Sequence, residues 1–293
     1  MLGLSLLGIS FAGPLVKLSH SEPLAIAAWR LFFSLLVVLG FLLWTGEWKE
    51  WRRAAPADLV LAGLAGIFLA LHFWAWNASI QLTTIAASVT LVSMQPAFVI
   101  GISIVFLREL PNRVQLIGIL AALAGAMIIA LPSILSSDDV ARNALSGNLL
   151  AISAAATAAV YYTIGRRVRA SLGIWAYVGI VYFTCLVALL VFAAMRGVEL
   201  YPMAGREYAI FAGLAIGPML LGHTGMNWAL RFMPAYVVNL LVLGEPIGAT
   251  LIGALLPGIS QIPSVFTVVG GVIVLAGVII AATSNLQPVR RDG

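Results

Sequence analysis

Two stretches of this chain read alike, Leu91-Val92-Ser93-Met94-Gln95-Pro96 and Leu241-Val242-Leu243-Gly244-Glu245-Pro246, and they lie 150 positions apart. The same shift lays Asn77 on Asn227. A shift of 152 lays Pro111 on Pro263, Gly118 on Gly270 and Gly125 on Gly277. Each match is weak in a chain so rich in Leu, Val and Gly. Their common order and nearly constant offset mark an internal duplication.

What is duplicated follows from composition. Of 293 residues, 62% are hydrophobic and only 9% charged, and the mean hydropathy is +1.06. A soluble domain carries about 25% charged residues, so these charges cannot cover a water-facing surface. Disorder is excluded too, because it needs low hydrophobicity and high charge. The apolar runs reach spanning length, about 20 residues. They predict ten helices, over residues 2–18, 24–45, 58–80, 84–107, 113–131, 147–165, 172–195, 207–230, 234–256 and 264–284. The expected fold is an all-α membrane protein. Residues 1–131 form one five-helix repeat and 147–285 a second, joined by a periplasmic linker at 132–146 and followed by a cytoplasmic tail at 286–293.

Five is odd, so the second repeat enters the membrane from the opposite side. The halves are then inverted about an axis in the membrane plane, the plan of secondary transporters with a midplane site. Orientation follows from the basic residues, which favour cytoplasmic loops. Eleven Lys and Arg, Arg108, Arg290 and Arg291 among them, fall on the side of the chain ends, and four on the other. Both ends are therefore expected in the cytoplasm, in a multi-pass protein of the inner membrane. The net charge of +5 is scattered between apolar runs and gives no basic patch for nucleic acid. The lone Cys185 excludes an internal disulfide.

Polar residues inside spans are costly and face an interior or a cavity. Glu245 in the ninth span is either a proton or substrate-ammonium site or a support for the bend at Pro246. Arg30 in the second span is read as structural, with Glu245 or a substrate carboxylate as its alternative partner. His72, Trp76 and Ser79 fall on one helical stripe and Asn77 on the next, while His223 and Asn227 share a face beside Trp228. Ser88 and Gln95 lie seven apart on the fourth helix, and Thr157 and Tyr161 four apart on the sixth. These eleven residues are the expected substrate contacts, and Glu245, His72 and His223 the proton-coupling candidates. Pro14, Pro96, Pro218 and Pro246 each remove a backbone hydrogen bond inside a span and are the expected hinges. Gly118 and Ala122 allow close helix packing. No metal site, cofactor motif or ATP-binding loop stands in the sequence, so neither a cofactor nor an ATPase subunit is expected.

The motifs together resemble the drug/metabolite transporter superfamily, in its EamA-type ten-helix form. The residues that carry the likeness are Trp29-Arg30-Leu31-Phe32, then Pro96 through Phe106-Leu107-Arg108-Glu109-Leu110, Gln115-Leu116-Ile117-Gly118, Ala124-Gly125, Glu245-Pro246, Gly270-Gly271 and Ala276-Gly277. Leu255-Leu256-Pro257-Gly258 stands where an acidic residue usually follows the ninth helix, and Gln95 stands where the second half has Glu245. The resemblance implies that helices 1, 3, 4, 6, 8 and 9 line a central cavity while 5 and 10 pack outside. The aromatic content is similar to that of YddG-like aromatic amino-acid exporters. The expected activity is export, or facilitated movement, of small amphiphilic metabolites such as aromatic or hydrophobic amino acids by alternating access. The partners are the small-molecule substrate and membrane lipid. Drug or nucleoside efflux on the same fold, or a small-solute channel, are the alternatives.

Overall fold

The computed structural model describes residues 2–107, 112–136, 138–201, 203–232, 238 and 242–283. Ten helical elements order these residues. We label them α1 (Leu2–Ser10 and Ala12–Leu18), α2 (Pro23–Thr45), α3 (Pro56–Leu82), α4 (Ile85–Val92 and Gln95–Leu107), α5 (Arg113–Leu135), α6 (Asp139–Val168), α7 (Ile174–Arg196), α8 (Gly205–Ala229), α9 (Glu245–Leu255) and α10 (Val265–Thr283). Eight of them are long and apolar enough to cross a membrane, and Leu2–Leu18 and Glu245–Leu255 are shorter apolar helices. The expected tail at 286–293 lies outside the described residues, as do Arg108, Glu109, Leu110, Pro111, Arg290 and Arg291. The expected linker at 132–146 is largely helical. Helix α5 runs through Pro132 to Leu135, and α6 starts at Asp139. That early start has a local cause: the Asp138 side chain accepts the backbone N–H of Ala141 at 2.7 Å and caps the first turn.

Where the helices break is set by proline. A proline ring collides with the carbonyl four residues earlier. The first segment of α1 ends at Ser10, four before Pro14, and that of α4 ends at Val92, four before Pro96. In α8 the α-helical turns end at Leu214, four before Pro218, and a wider π-helical stretch runs from Ala215 to Thr224. Pro246 repeats the pattern of Pro96: Val242 is helical four residues before it, Leu243 and Gly244 form a turn, and α9 resumes at Glu245 with Pro246 in its first turn, where its missing N–H is harmless.

The packing carries the symmetry of the duplication. Helix α3 lies on α6 and α1 on α8; α3 lies on α7 and α2 on α8; α1 packs on α9 and α4 on α6. Exchanging α1–α5 for α6–α10 turns each contact in these pairs into the other. The contacts α2–α7, α4–α9 and α5–α10 map onto themselves. Helix ends repeat as well. Asn112 caps α5 on the N–H of Gln115, and Ser264 caps α10 on the N–H of Thr267, 152 positions on. Helices α2 and α7 both end at a left-handed glycine, Gly46 (φ 72°) and Gly197 (φ 65°), a conformation open to glycine at little cost.

Helices α5 and α10 pair closely because glycines let the backbones meet. A methyl group placed on Gly125 would lie 2.6 Å from the Gly270 carbonyl oxygen, and one on Gly277 2.6 Å from that of Gly118. Leucine, valine and isoleucine side chains of both helices, such as Leu116, Leu120, Val268 and Val272, remain exposed on the outside, where lipid covers them.

Hydrogen bonds close both ends of the bundle, some joining the two halves and some bracing helices within one half. On the face that carries the loops after α2 and α6, Ser171 Oγ donates to Asp58 Oδ2 at 2.8 Å. There Arg166 donates to the carbonyls of Leu230 and Arg231, and Arg169 to those of Asn227 and Leu172. Burial and the charge of Arg231 lower the pKa of Arg169 from the usual guanidinium value to about 10. On the opposite face Ser21 Oγ donates to Glu207 Oε2 at 2.9 Å, and Ser19 donates to the same carboxylate. Lys17 Nζ there donates to the carbonyls of Ile80 (2.7 Å) and Thr83 (3.0 Å).

Candidate functional site

The helix interruptions converge on one cavity between the halves. Ile9 and Ala12 flank the break in α1, Val92 and Gln95 the break in α4, and Pro218 and His223 come from the π-helical part of α8. Val242 and Glu245 come from the start of α9. Three continuous helices complete the wall with Arg30 (α2), His72 and Trp76 (α3) and Tyr162 (α6). Three pairs on this wall are repeat mates 150 positions apart: Ala12 with Tyr162, Val92 with Val242, and Gln95 with Glu245. The space is about 40 Å³, room for a few water molecules. A pocket that encloses a drug-sized ligand needs about 300–1,000 Å³. The cavity as it stands is contracted.

A guanidinium and a carboxyl group share this small space. Arg30 is 1% exposed. Its guanidinium lies 3.7 Å from the centroid of the Phe73 ring, and Nη2 is 3.9 Å from the sulfur of Met219. Nε and Nη1 have no hydrogen-bond partner among the described residues. Glu245 is buried on the same cavity, and no ion pair joins it to Arg30 among the described residues. His72 Nδ1 lies 3.0 Å from the carbonyl oxygen of Ala154. A carbonyl only accepts, so Nδ1 carries the proton and Nε2 is left as the acceptor. The His72 ring stacks on Trp76 and meets His223 edge-on at 6.1 Å between centroids. The indole N–H of Trp76 and Nδ1 of His223 are buried without partners among the described residues.

Of the residues singled out from the sequence, the structure brings His72, Trp76, Gln95, His223 and Glu245 to this cavity. Tyr161 and Asn227 stand behind it. Asn227 donates to the Tyr161 hydroxyl and to the carbonyl of His223, and so holds the His223 segment in place. Asn77 instead donates to the Pro23 carbonyl at the start of α2. Ser79 and Ser88 satisfy each other at 2.7 Å, tying α3 to α4. Thr157 bonds to the carbonyls of its own helix, and Trp228 is 40% exposed beside Phe232. Arg30, read from sequence as structural on a peripheral helix, reaches the cavity wall. Tyr162 was not foreseen. Carrying the 150 shift from Tyr162 back to Ala12, beside Pro14, would have flagged it.

The profile of the EamA-like transporter family matches residues 1–131 and 145–283, one copy on each half. The chain belongs to this family. Proteins similar to it include two uncharacterized transporters of Archaeoglobus fulgidus. One is 23% identical, with 93% of each chain covered; the other is 26% identical, with 89% of this chain and 87% of the relative covered. The uncharacterized transporter YdfC of Bacillus subtilis is 24% identical over 92% of this chain and 85% of its own. A crystal structure at 19% identity superposes with a TM-score of 0.66, over 98% of this chain and 96% of that one, and shares the fold. Family and relatives make the chain a multi-pass membrane transporter, and the relatives' names specify no substrate.

Proposed function

We propose that this transporter exports small amphiphilic metabolites, above all aromatic or other hydrophobic amino acids, across the cytoplasmic membrane by alternating access. Both chain ends lie in the cytoplasm in this reading, as the loop charges favour. One observation carries it: a cavity between the inverted halves offers a cation and a carboxyl group, Arg30 and Glu245, beside the rings of Trp76, Tyr162 and His72. A zwitterion with an aromatic side chain supplies the complement of each. Rocking one half against the other would open the contracted cavity to each side in turn.

The test is uptake of labelled phenylalanine and tryptophan into proteoliposomes. Saturable uptake, competed by unlabelled aromatic amino acids, is expected. Conductance that never saturates would replace the transporter mechanism by a channel, and no uptake of either compound would remove this substrate class.

A further inference from the structure

Several hydrogen-bond donors on the cavity wall are unmatched. Arg30 Nε and Nη1 and Trp76 Nε1 are donor-only atoms, all buried and all without a partner among the described residues. The contacts Arg30 does make, the Phe73 ring and the Met219 sulfur, are those of a weak acceptor face rather than an anion. A buried guanidinium that bonds to no anion is costly, so its retention on a cavity wall suits an anion that enters and leaves. A planar carboxylate fits best, since a guanidinium presents paired N–H donors that match its two oxygens. Arg30 also breaks the symmetry of the site. Its repeat mate at position 180 is an isoleucine that the cavity does not touch. The site therefore has a distinct anion-holding end, and Glu245 supplies the opposite charge.

We infer that Arg30 holds the substrate's carboxylate, so that the transporter selects carboxylate-bearing cargo and discriminates against the corresponding amines. This rests on the substrate class proposed above. Charge-assisted hydrogen bonds to a guanidinium are among the stronger ones in proteins, and losing them weakens binding roughly tenfold to a hundredfold.

The experiment measures binding of phenylalanine, 3-phenylpropionate and phenethylamine to the detergent-purified protein by thermal shift and by competition. Wild-type protein is expected to bind phenylalanine at least tenfold more tightly than phenethylamine, with phenylpropionate also ahead of the amine. In Arg30→Gln that preference should vanish, while Arg30→Lys keeps part of it. Equal binding of phenylalanine and phenethylamine by wild type overturns the role of Arg30 and leaves the proposed function standing. So does an Arg30→Gln protein that still discriminates. If wild type binds none of the three, the substrate reading falls and this inference with it. Because the ligand series is run on wild type, the question is decided even where a variant fails to fold.

Discussion

Gln95 and Glu245 occupy equivalent places in the two repeats, each beginning a helical segment just before a proline and each on the cavity wall. Only the second is ionisable, so Glu245 is the one carboxyl group on the described cavity wall. The charged and titratable groups that share the cavity with Glu245 are Arg30, His72, Tyr162 and His223. Glu245→Gln keeps size and hydrogen-bonding shape and removes the charge. In proteoliposomes this variant should weaken transport of aromatic amino acids and lose most of the pH dependence of the transport that remains. An unchanged pH profile would assign coupling to the histidines or show that none exists. At this scale the sequence was partly legible. His72, Trp76, Gln95, His223 and Glu245 stood out because polar groups in apolar spans demand a protein-facing place. Asn77, Ser79 and Ser88 met the same demand through partners on neighbouring helices, which a single helical stripe does not reveal. Arg30 was the reverse case, a residue whose meaning depends on partners it lacks.

The ten elements were legible from apolar length, and their breaks from the four prolines. Less legible were their ends. Helix α6 begins eight residues before its predicted start, since the polar stretch from Asp139 to Ser146 is helical once Asp138 caps it. That cap is pH-sensitive. Hydrogen bonds from the Ala141 N–H and the Ser136 hydroxyl hold the pKa of Asp138 below the usual carboxylate value. Its contribution is therefore complete above the ordinary carboxylate pKa and is lost as pH falls through the lowered one. Faster amide exchange at Val140 and Ala141 is expected over that acidic window in wild type, and at all pH values in Asp138→Ala. The α5–α10 pair gives a second prediction. Gly125→Val puts side-chain atoms where the Gly270 carbonyl stands, and overpacking of this kind costs about 1–3 kcal/mol. Gly40, on the outer face of α2, has nothing within 4 Å of an added methyl. Gly40→Ala should leave the melting temperature in detergent unchanged or slightly raised, while Gly125→Val lowers it by several degrees.

Across the whole molecule the duplication sets up two closures built to one pattern. Ser21 bonds to Glu207 on one face and Ser171 to Asp58 on the other, with the serines 150 and the carboxylates 149 positions apart. Each bond joins one half to the other. The backbone clamps match too, Lys17 on the Ile80 carbonyl and Arg166 on that of Leu230, with the cations 149 and the carbonyls 150 positions apart. The two closures differ in how their carboxylates are held. Glu207 is 6% exposed and accepts from Ser19, Ser21 and the backbone N–H of His20. Asp58 accepts one hydroxyl at an exposed position. Its face is closed mainly by two other carboxylates: Glu50 accepts the N–H of Gly173 at 2.6 Å, and Glu47 those of Trp175 and Ala176. A Val92→Cys reporter in a Cys185→Ser background, labelled with a membrane-impermeant thiol reagent from each side in turn, reads closure directly. Glu207→Ala removes three hydrogen bonds to a buried carboxylate and should raise labelling from its own face about tenfold. Asp58→Ala leaves the Glu47 and Glu50 bonds in place and should change labelling from the other face by less than threefold. No response to Glu207→Ala would mean that these bonds do not gate access and that closure resides in helix packing alone.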